Sequence, residues 1–266
     1  MPFYVNLPLP YAAADERYLA LFLDKGLHPE LGIDAVAIET LPMSWHRQTA
    51  ARLRDAGLTC GVHLPFHDLH PGSPDALIAG ATRTRLAQAL EIAALYAPRH
   101  MVGHAMYSTR LYNGLYEAWL EHSVETWRTT LATWPEHPTL CLENVFESAP
   151  DTLAALVHAI DHPKVGVCFD VGHWHSFGGG AAQDDLEHWL DVLGPHIRHM
   201  HLHDNDGSGD QHSGIGRGKI PFDRLFAALE RQDLRPGVTF EPHTEAALAD
   251  ALACLAAQPG WFSRLL

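Results

Sequence analysis

Eight times along these 266 residues, a short β-branched or apolar run gives way to a longer segment of helical period. Such alternation marks parallel strands joined by crossover helices, because parallel neighbours cannot be linked by a tight turn. The runs fall at residues 3–7, 35–39, 58–64, 100–106, 139–145, 165–171, 197–203 and 238–241. Helices are expected at 15–25, 115–133, 152–160, 185–193 and 245–257. Three more should start after Ser44, after Ser73-Pro74 and after Pro221, residues suited to caps and first turns, with Gly26 and Gly57 closing two helices. An open doubly wound sheet shares this pattern, but eight units in a length close to the roughly 250 residues of one barrel favour closure. The expected fold is α/β, a single (β/α)8 TIM barrel over residues 1–266. No Pro/Ser-rich linker divides the chain, and its two irregular inserts, 176–180 and 205–218, both follow strands.

Composition excludes several roles. A hydrophobic fraction of 47% with 19% charged residues is that of an ordinary globular protein. No apolar run approaches a membrane span, and the first residues lack a basic, then apolar, leader, so a cytoplasmic protein with no membrane partner is expected. The net charge of −14, with lysine only at Lys25, Lys164 and Lys219, opposes binding of a long nucleic acid. Cys60, Cys141, Cys168 and Cys254 are widely spaced without a CxxC, which suits small core residues better than disulfides or a thiolate zinc site. Nothing in the sequence fixes an oligomeric state.

Among the 20 histidines, position matters more than number. His63, His104, Glu143, Asp170, His201 and Glu241 each stand where an apolar run ends. Barrel closure gathers the carboxyl ends of all strands on one face, where side chains remote in sequence can meet around one ion. Cys141 with Glu143, Cys168 with Asp170, and Thr239 with Glu241 share strand parity, which puts a small residue in the packed interior and a carboxylate above it. His173, Asp210 and His212 lie in the following loops. Taken singly, a histidine is more often a satisfied polar group than a ligand, and Glu143 or Glu241 alone reads equally well as an ion-pair partner. Three carboxylates at the inward ends of apolar strands are harder to explain singly, because unpaired burial costs several kcal/mol in order of magnitude and a shared cation removes that cost. The ligand types suit an open catalytic site for a divalent ion, Zn2+ first, with Mn2+, Co2+ or Fe2+ as alternatives.

The other histidines carry less. His46, His122, His137, His158, His162 and His188 fall in or beside helices and are expected to be solvated. His67, His70, His175, His199 and His203 lie near the mouth without an assigned role, and His199 and His203 share the parity of His201.

The ordered series VHLP, VGHA, LEN, FDVGH, HLHD, DxH-GxG and FEP resembles the xylose-isomerase-like TIM-barrel superfamily, over essentially the whole chain. That group contains sugar isomerases and epimerases and the endonuclease IV (AP endonuclease family 2) enzymes. In the endonuclease-like arrangement, the resemblance implies that Glu143 bridges two ions. His63 and His104 complete one, Asp170, His201 and Glu241 the second, and His173, Asp210 and His212 hold a third. In the isomerase-like arrangement only Glu143, Asp170, His201 and Glu241 hold metal, and His173, His63 and His104 contact substrate oxygens.

Two reactions follow from one residue set. Three ions suit phosphoester cleavage by metal-bound hydroxide, and the presence of every third-ion residue favours that reading, with a small or cofactor-sized substrate, phosphorylated or not, rather than DNA. Glu143, Glu241 and His173 are then the catalytic candidates. The alternative is a sugar or sugar-phosphate isomerase or epimerase in which Glu143 and Glu241 move a proton. A non-catalytic metal- or ligand-binding barrel stands as a third reading. Arg217 and Lys219 in GIGRGK are candidates to meet a substrate phosphate, and Trp174, with Phe177, Tyr107 and Tyr112, to wall the mouth.

Overall fold

A computed structural model describes residues 3–263 and 265. Eight strands, β1 (Tyr4–Pro8), β2 (His28–Gly32), β3 (Gly61–His63), β4 (His100–His104), β5 (Thr139–Glu143), β6 (Val165–Asp170), β7 (Ile197–Leu202) and β8 (Gly237–Phe240), pair in parallel in sequence order. Pairing of Tyr4 with Thr239 and of Val5 with Phe240 joins β1 to β8 and closes the barrel. Helices cover the outside and bury Trp119, Trp127, Trp174 and Trp189 against the strands. Most of the strands are buried on both faces, and all but β2 fall in the apolar runs of the sequence.

Local signals account for the helix ends. Asp15 accepts the N–H of Arg17 at the start of Glu16–Lys25, and Gly26, with φ 65°, closes that helix in the left-handed conformation that glycine adopts without a Cβ penalty. Asp75, rather than Ser73, caps Ala76–Tyr96 by accepting from Leu77 and Ile78. The helix expected after Ser44 begins at Met43, with Pro42 before it, and Pro221 precedes Phe222–Arg231.

One strand differs from expectation. Residues 35–39 form part of a helix, Ala35–Thr40, because the Asp34 carboxylate accepts the Ala37 N–H at 2.8 Å and caps a first turn. The strand lies earlier, at His28–Gly32, whose sequence HPELG contains a proline and a glutamate. Its register is fixed by Asn6 on one side and Gly61 on the other, both opposite Glu30. Two histidines expected in solvent are also buried: His46, with Nδ1 3.0 Å from the Tyr96 hydroxyl, and His137. Cys60, Cys141 and Cys168 are buried free thiols, and Val102, Cys141 and Cys168 form a small apolar layer of their own.

Candidate metal centre

At the carboxyl ends of the strands, Glu143 is the hub. Its Oε2 lies 3.2 Å from Nε2 of His63 and 3.2 Å from Nε2 of His104. Its Oε1 lies 3.0 Å from His173 Nδ1 and 3.5 Å from His201 Nδ1. The same His201 nitrogen stands 3.2 Å from Glu241 Oε1 and 3.8 Å from Asp170 Oδ2. Beyond His173, Asp210 Oδ2 lies 3.4 Å from His173 Nε2 and 2.9 Å from His212 Nε2. All nine residues singled out as metal ligands thus converge on one face, although they come from five strands and three loops.

Two loops place the outlying groups. Asp170 caps the short helix Val171–His175 by accepting the His173 N–H at 2.6 Å, so strand end and loop histidine are set by one carboxylate. Asn144 pins the Asp170 backbone from both sides, its side chain accepting from Asp170 N and donating to Asp170 O. The loop bearing Asp210 and His212 is held by Asp204, which accepts from the backbone N–H of Gly216, Gly218 and Ile220.

The donor set fits a divalent cation. Asp170 Oδ2, His201 Nδ1, His203 Nε2 and Asp210 Oδ1 are buried with no hydrogen-bond partner among the described residues. Such atoms each cost about 1–3 kcal/mol unless something else satisfies them. Two ligand atoms that are each about 2.1 Å from one ion stand about 3.0 to 3.4 Å apart, close to the spacings found around His201. Electrostatics agree. Burial alone would raise the Glu143 carboxyl, but the imidazoles of His201 and His104 hold it well below the usual carboxylate range. Burial brings His104 down to about 4, which leaves a neutral ring with a lone pair to give. Burial also opposes charge on His212, yet its bond to Asp210 and the nearby Glu241 carry it up to about 9.

His203 had no assigned role, but its Nε2 stands 3.3 Å from Asp170 Oδ1 and 3.6 Å from Asp210 Oδ1, which makes a compact group with His173, Asp210 and His212. Its shared parity with His201 was the available signal. Glu147, also unforeseen, is buried and binds the loops by accepting from Val145 N at 2.6 Å and Tyr107 N at 2.9 Å.

The expected substrate contacts are placed differently. Trp174 is buried, its indole N–H donating to Asp185 at 2.9 Å, so its ring belongs to the core. Arg217 turns outward to Asp250, donating through Nε at 3.0 Å and Nη2 at 2.7 Å. Lys219 is exposed, and its backbone N–H donates to Asn205 O. Tyr107 and Tyr112 pack on Trp119. Phe177 does flank the site: it stacks on His173 with ring centroids 5.6 Å apart and meets Phe146 at 5.3 Å, both rings being exposed. Among the described residues, no helix is long and apolar enough to cross a membrane.

Comparison with known proteins places this geometry. The family model described as "Xylose isomerase-like TIM barrel" matches residues 28–258. A protein of Methanocaldococcus jannaschii, MJ1311, is 29% identical over 176 residues, which are 64% of this chain and 59% of that relative's length. Among solved structures, a D-tagatose 3-epimerase-like protein matches with a TM-score of 0.79 at 21% identity, covering 100% of this chain and 98% of that one. D-psicose 3-epimerase from Clostridium cellulolyticum, solved with D-tagatose, matches at 0.73 and 19%, covering 100% and 99%. Sugar epimerases recur among the other matching folds.

These neighbours correct the expected phosphoester hydrolase in favour of the isomerase or epimerase alternative. The inference from the third-ion residues fails for a physical reason. Asp210 Oδ2 already has imidazole partners in His173 and His212 at 3.4 and 2.9 Å, and only its Oδ1 is left open, so the presence of those residues does not by itself require a third ion. On the family match and the closed eight-stranded barrel together, the chain belongs to the xylose isomerase-like TIM-barrel family.

Proposed function

We propose that this protein is a divalent-metal-dependent epimerase or isomerase of a small, unphosphorylated sugar. The observation that carries the reading is the pair Glu143 and Glu241, which reach one imidazole nitrogen, His201 Nδ1, at 3.5 and 3.2 Å from strands separated by β6 and β7. Glu143, Asp170, His201 and Glu241 would hold the ion, with Zn2+, Mn2+, Co2+ or Fe2+ all compatible with carboxylate and imidazole donors. When bound, the cation supplies Lewis-acid polarisation of the substrate's carbonyl and adjacent hydroxyl oxygens.

The residues supply the proton chemistry. One carboxylate of the Glu143/Glu241 pair takes the proton from the carbon beside the carbonyl as the bond's electron pair moves towards the carbonyl oxygen. The other returns a proton to that carbon from its own side, which inverts it. His63, His104 and His173 stand within reach of the remaining oxygens, and the exposed rings of Phe146 and Phe177 offer an apolar flank. The cations Arg217 and Lys219 point away from the mouth or into solvent, which favours an uncharged sugar over a sugar phosphate.

Incubation with a panel of ketohexoses and ketopentoses in D2O, with Co2+ or Mn2+ added, tests this. NMR should show deuterium entering the carbon beside the carbonyl along with a second epimer. Full metal loading with no exchange on any ketose would overturn the proposal.

A further inference from the structure

Beneath the cation-facing layer, the barrel interior holds a second polar group. Glu30, on β2, is 1% exposed. Its Oε2 accepts from His100 Nε2 at 2.6 Å and from the Thr239 hydroxyl at 2.7 Å. Thr239 Oγ1 in turn lies 2.7 Å from His199 Nε2, which assigns the His199 proton to that nitrogen, and the His199 ring stacks on His100 with centroids 3.8 Å apart. The barrel makes room for these rings. A Cβ at Gly61 would come within 2.3 Å of the His100 ring, and one at Gly237 within 2.6 Å of the His199 ring.

A buried carboxylate held this way is not an efficient source of stability, since apolar residues of similar volume often do as well or better. The geometry suggests another use. With His100 and Thr239 both on Oε2, Glu30 Oε1 is left without a hydrogen-bond partner among the described residues and stands 3.0 Å from His201 Nε2, which is buried and likewise without one. His201 is fully buried, and its other nitrogen is the one that faces Glu143, Asp170 and Glu241.

We infer that Glu30 is a positioning residue that takes the Nε2–H of His201, fixing the tautomer in which Nδ1 presents its lone pair to the cation. This rests on the metal reading proposed above. A carboxylate on the far nitrogen of a ligating imidazole orients the ring and raises its basicity, and loss of such a partner typically costs about 10–100-fold in metal affinity. His100 and Thr239 serve by occupying Oε2, so that Oε1 is left for His201.

The test compares Co2+ binding by the full chain, Glu30→Gln and Thr239→Val, using competition with a chromophoric chelator, the visible Co2+ spectrum, and the melting temperature of each metal-free protein. Glu30→Gln keeps the volume and removes the charge. It should fold, bind Co2+ about 10–100-fold more weakly and shift the visible band, with Thr239→Val moving affinity the same way by less. Equal affinity and an unchanged spectrum in folded Glu30→Gln would overturn the inference and leave the metal reading intact, whereas a wild-type chain that binds no Co2+ would remove the metal reading itself. Loss of one ion of two in Glu30→Gln, with the other unaffected, would mean that Glu30, His100 and His199 hold an ion themselves, which also overturns it. If Glu30→Gln fails to fold, nitrogen-15 correlation spectra of the zinc-loaded wild type decide: a proton on His201 Nε2 supports the inference, and one on Nδ1 overturns it.

Discussion

The upper and lower halves of the barrel interior are built from the same residue types, yet they are finished differently. In the lower layer, Glu30, His100, Thr239 and His199 sit 2.6 to 2.7 Å apart and largely complete one another's hydrogen bonds. In the upper layer, His201 Nδ1 stands 3.2 to 3.8 Å from three carboxylates and bonds to none of them. Short, closed contacts mark a network that the protein completes by itself. Longer spacings with orphaned atoms mark one completed by something else. Glu30 Oε1 and His201 Nε2, 3.0 Å apart, are where the two layers meet.

The largest effect should come from the hub of the upper layer. Glu143→Gln keeps the shape but cannot accept a proton, and general acid–base catalysis is worth about 10²–10⁴-fold. Deuterium exchange into a ketose substrate should fall by about that factor. An unchanged rate would remove Glu143 from the proton transfer and leave it as structural as the small apolar group of Val102, Cys141 and Cys168.

Legibility in the sequence followed the same division. The upper layer was visible because six of the apolar runs stop at an imidazole or a carboxylate, and because Cys141 with Glu143 and Cys168 with Asp170 keep strand parity. Seven of the eight strands lie where the alternation of apolar runs and helical segments places them. The lower layer was hidden. HPELG reads as a loop, since proline removes a ladder donor and glutamate is disfavoured in strands, while AVAIE reads as a strand until Asp34 caps it into a helix. Misplacing β2 hid Glu30, and without Glu30 neither His100 nor His199 had a partner to suggest burial. His46 was lost similarly, because its partner Tyr96 lies 50 residues away. The reaction was not legible at all, because the same ligands serve hydrolysis and proton transfer.

A smaller effect should separate the layers by pH in the metal-free protein. His199 is brought down to about 3 by burial and the neighbouring His100. Its folded value lies below its unfolded one, so its contribution is present above about pH 6.5 and is lost as pH falls towards 3. His212 is the reverse case. Its folded value of about 9 lies above the unfolded one, so its contribution is complete below about pH 6.5 and is lost as pH rises through 9. Thermal melts across pH should therefore show an acid limb and an alkaline limb, with His212→Gln flattening only the alkaline one. Co2+ should add stability by mass action, about 4 kcal/mol at a thousandfold excess over its dissociation constant, most visibly on the alkaline side, where the competing proton has left. An alkaline limb unaffected by both His212→Gln and Co2+ would break the contrast between the layers.

The smallest expected effect lies outside both layers and sharpens where the site ends. Arg217 is two-thirds exposed, and its pairing with Asp250 is of the weak surface kind that solvent and salt screen. Its guanidinium is engaged with a carboxylate on the helix after β8, Glu245–Ala257, so it is not free to receive a phosphate at the mouth. Arg217→Ala should leave kcat and KM for a neutral ketose within about twofold and lower the melting temperature by no more than a few degrees. A tenfold rise in KM for a ketose phosphate, with the neutral ketose unaffected, would show that Arg217 leaves Asp250 to bind substrate. The site would then extend past the carboxylate ring, and the substrate would be a sugar phosphate after all.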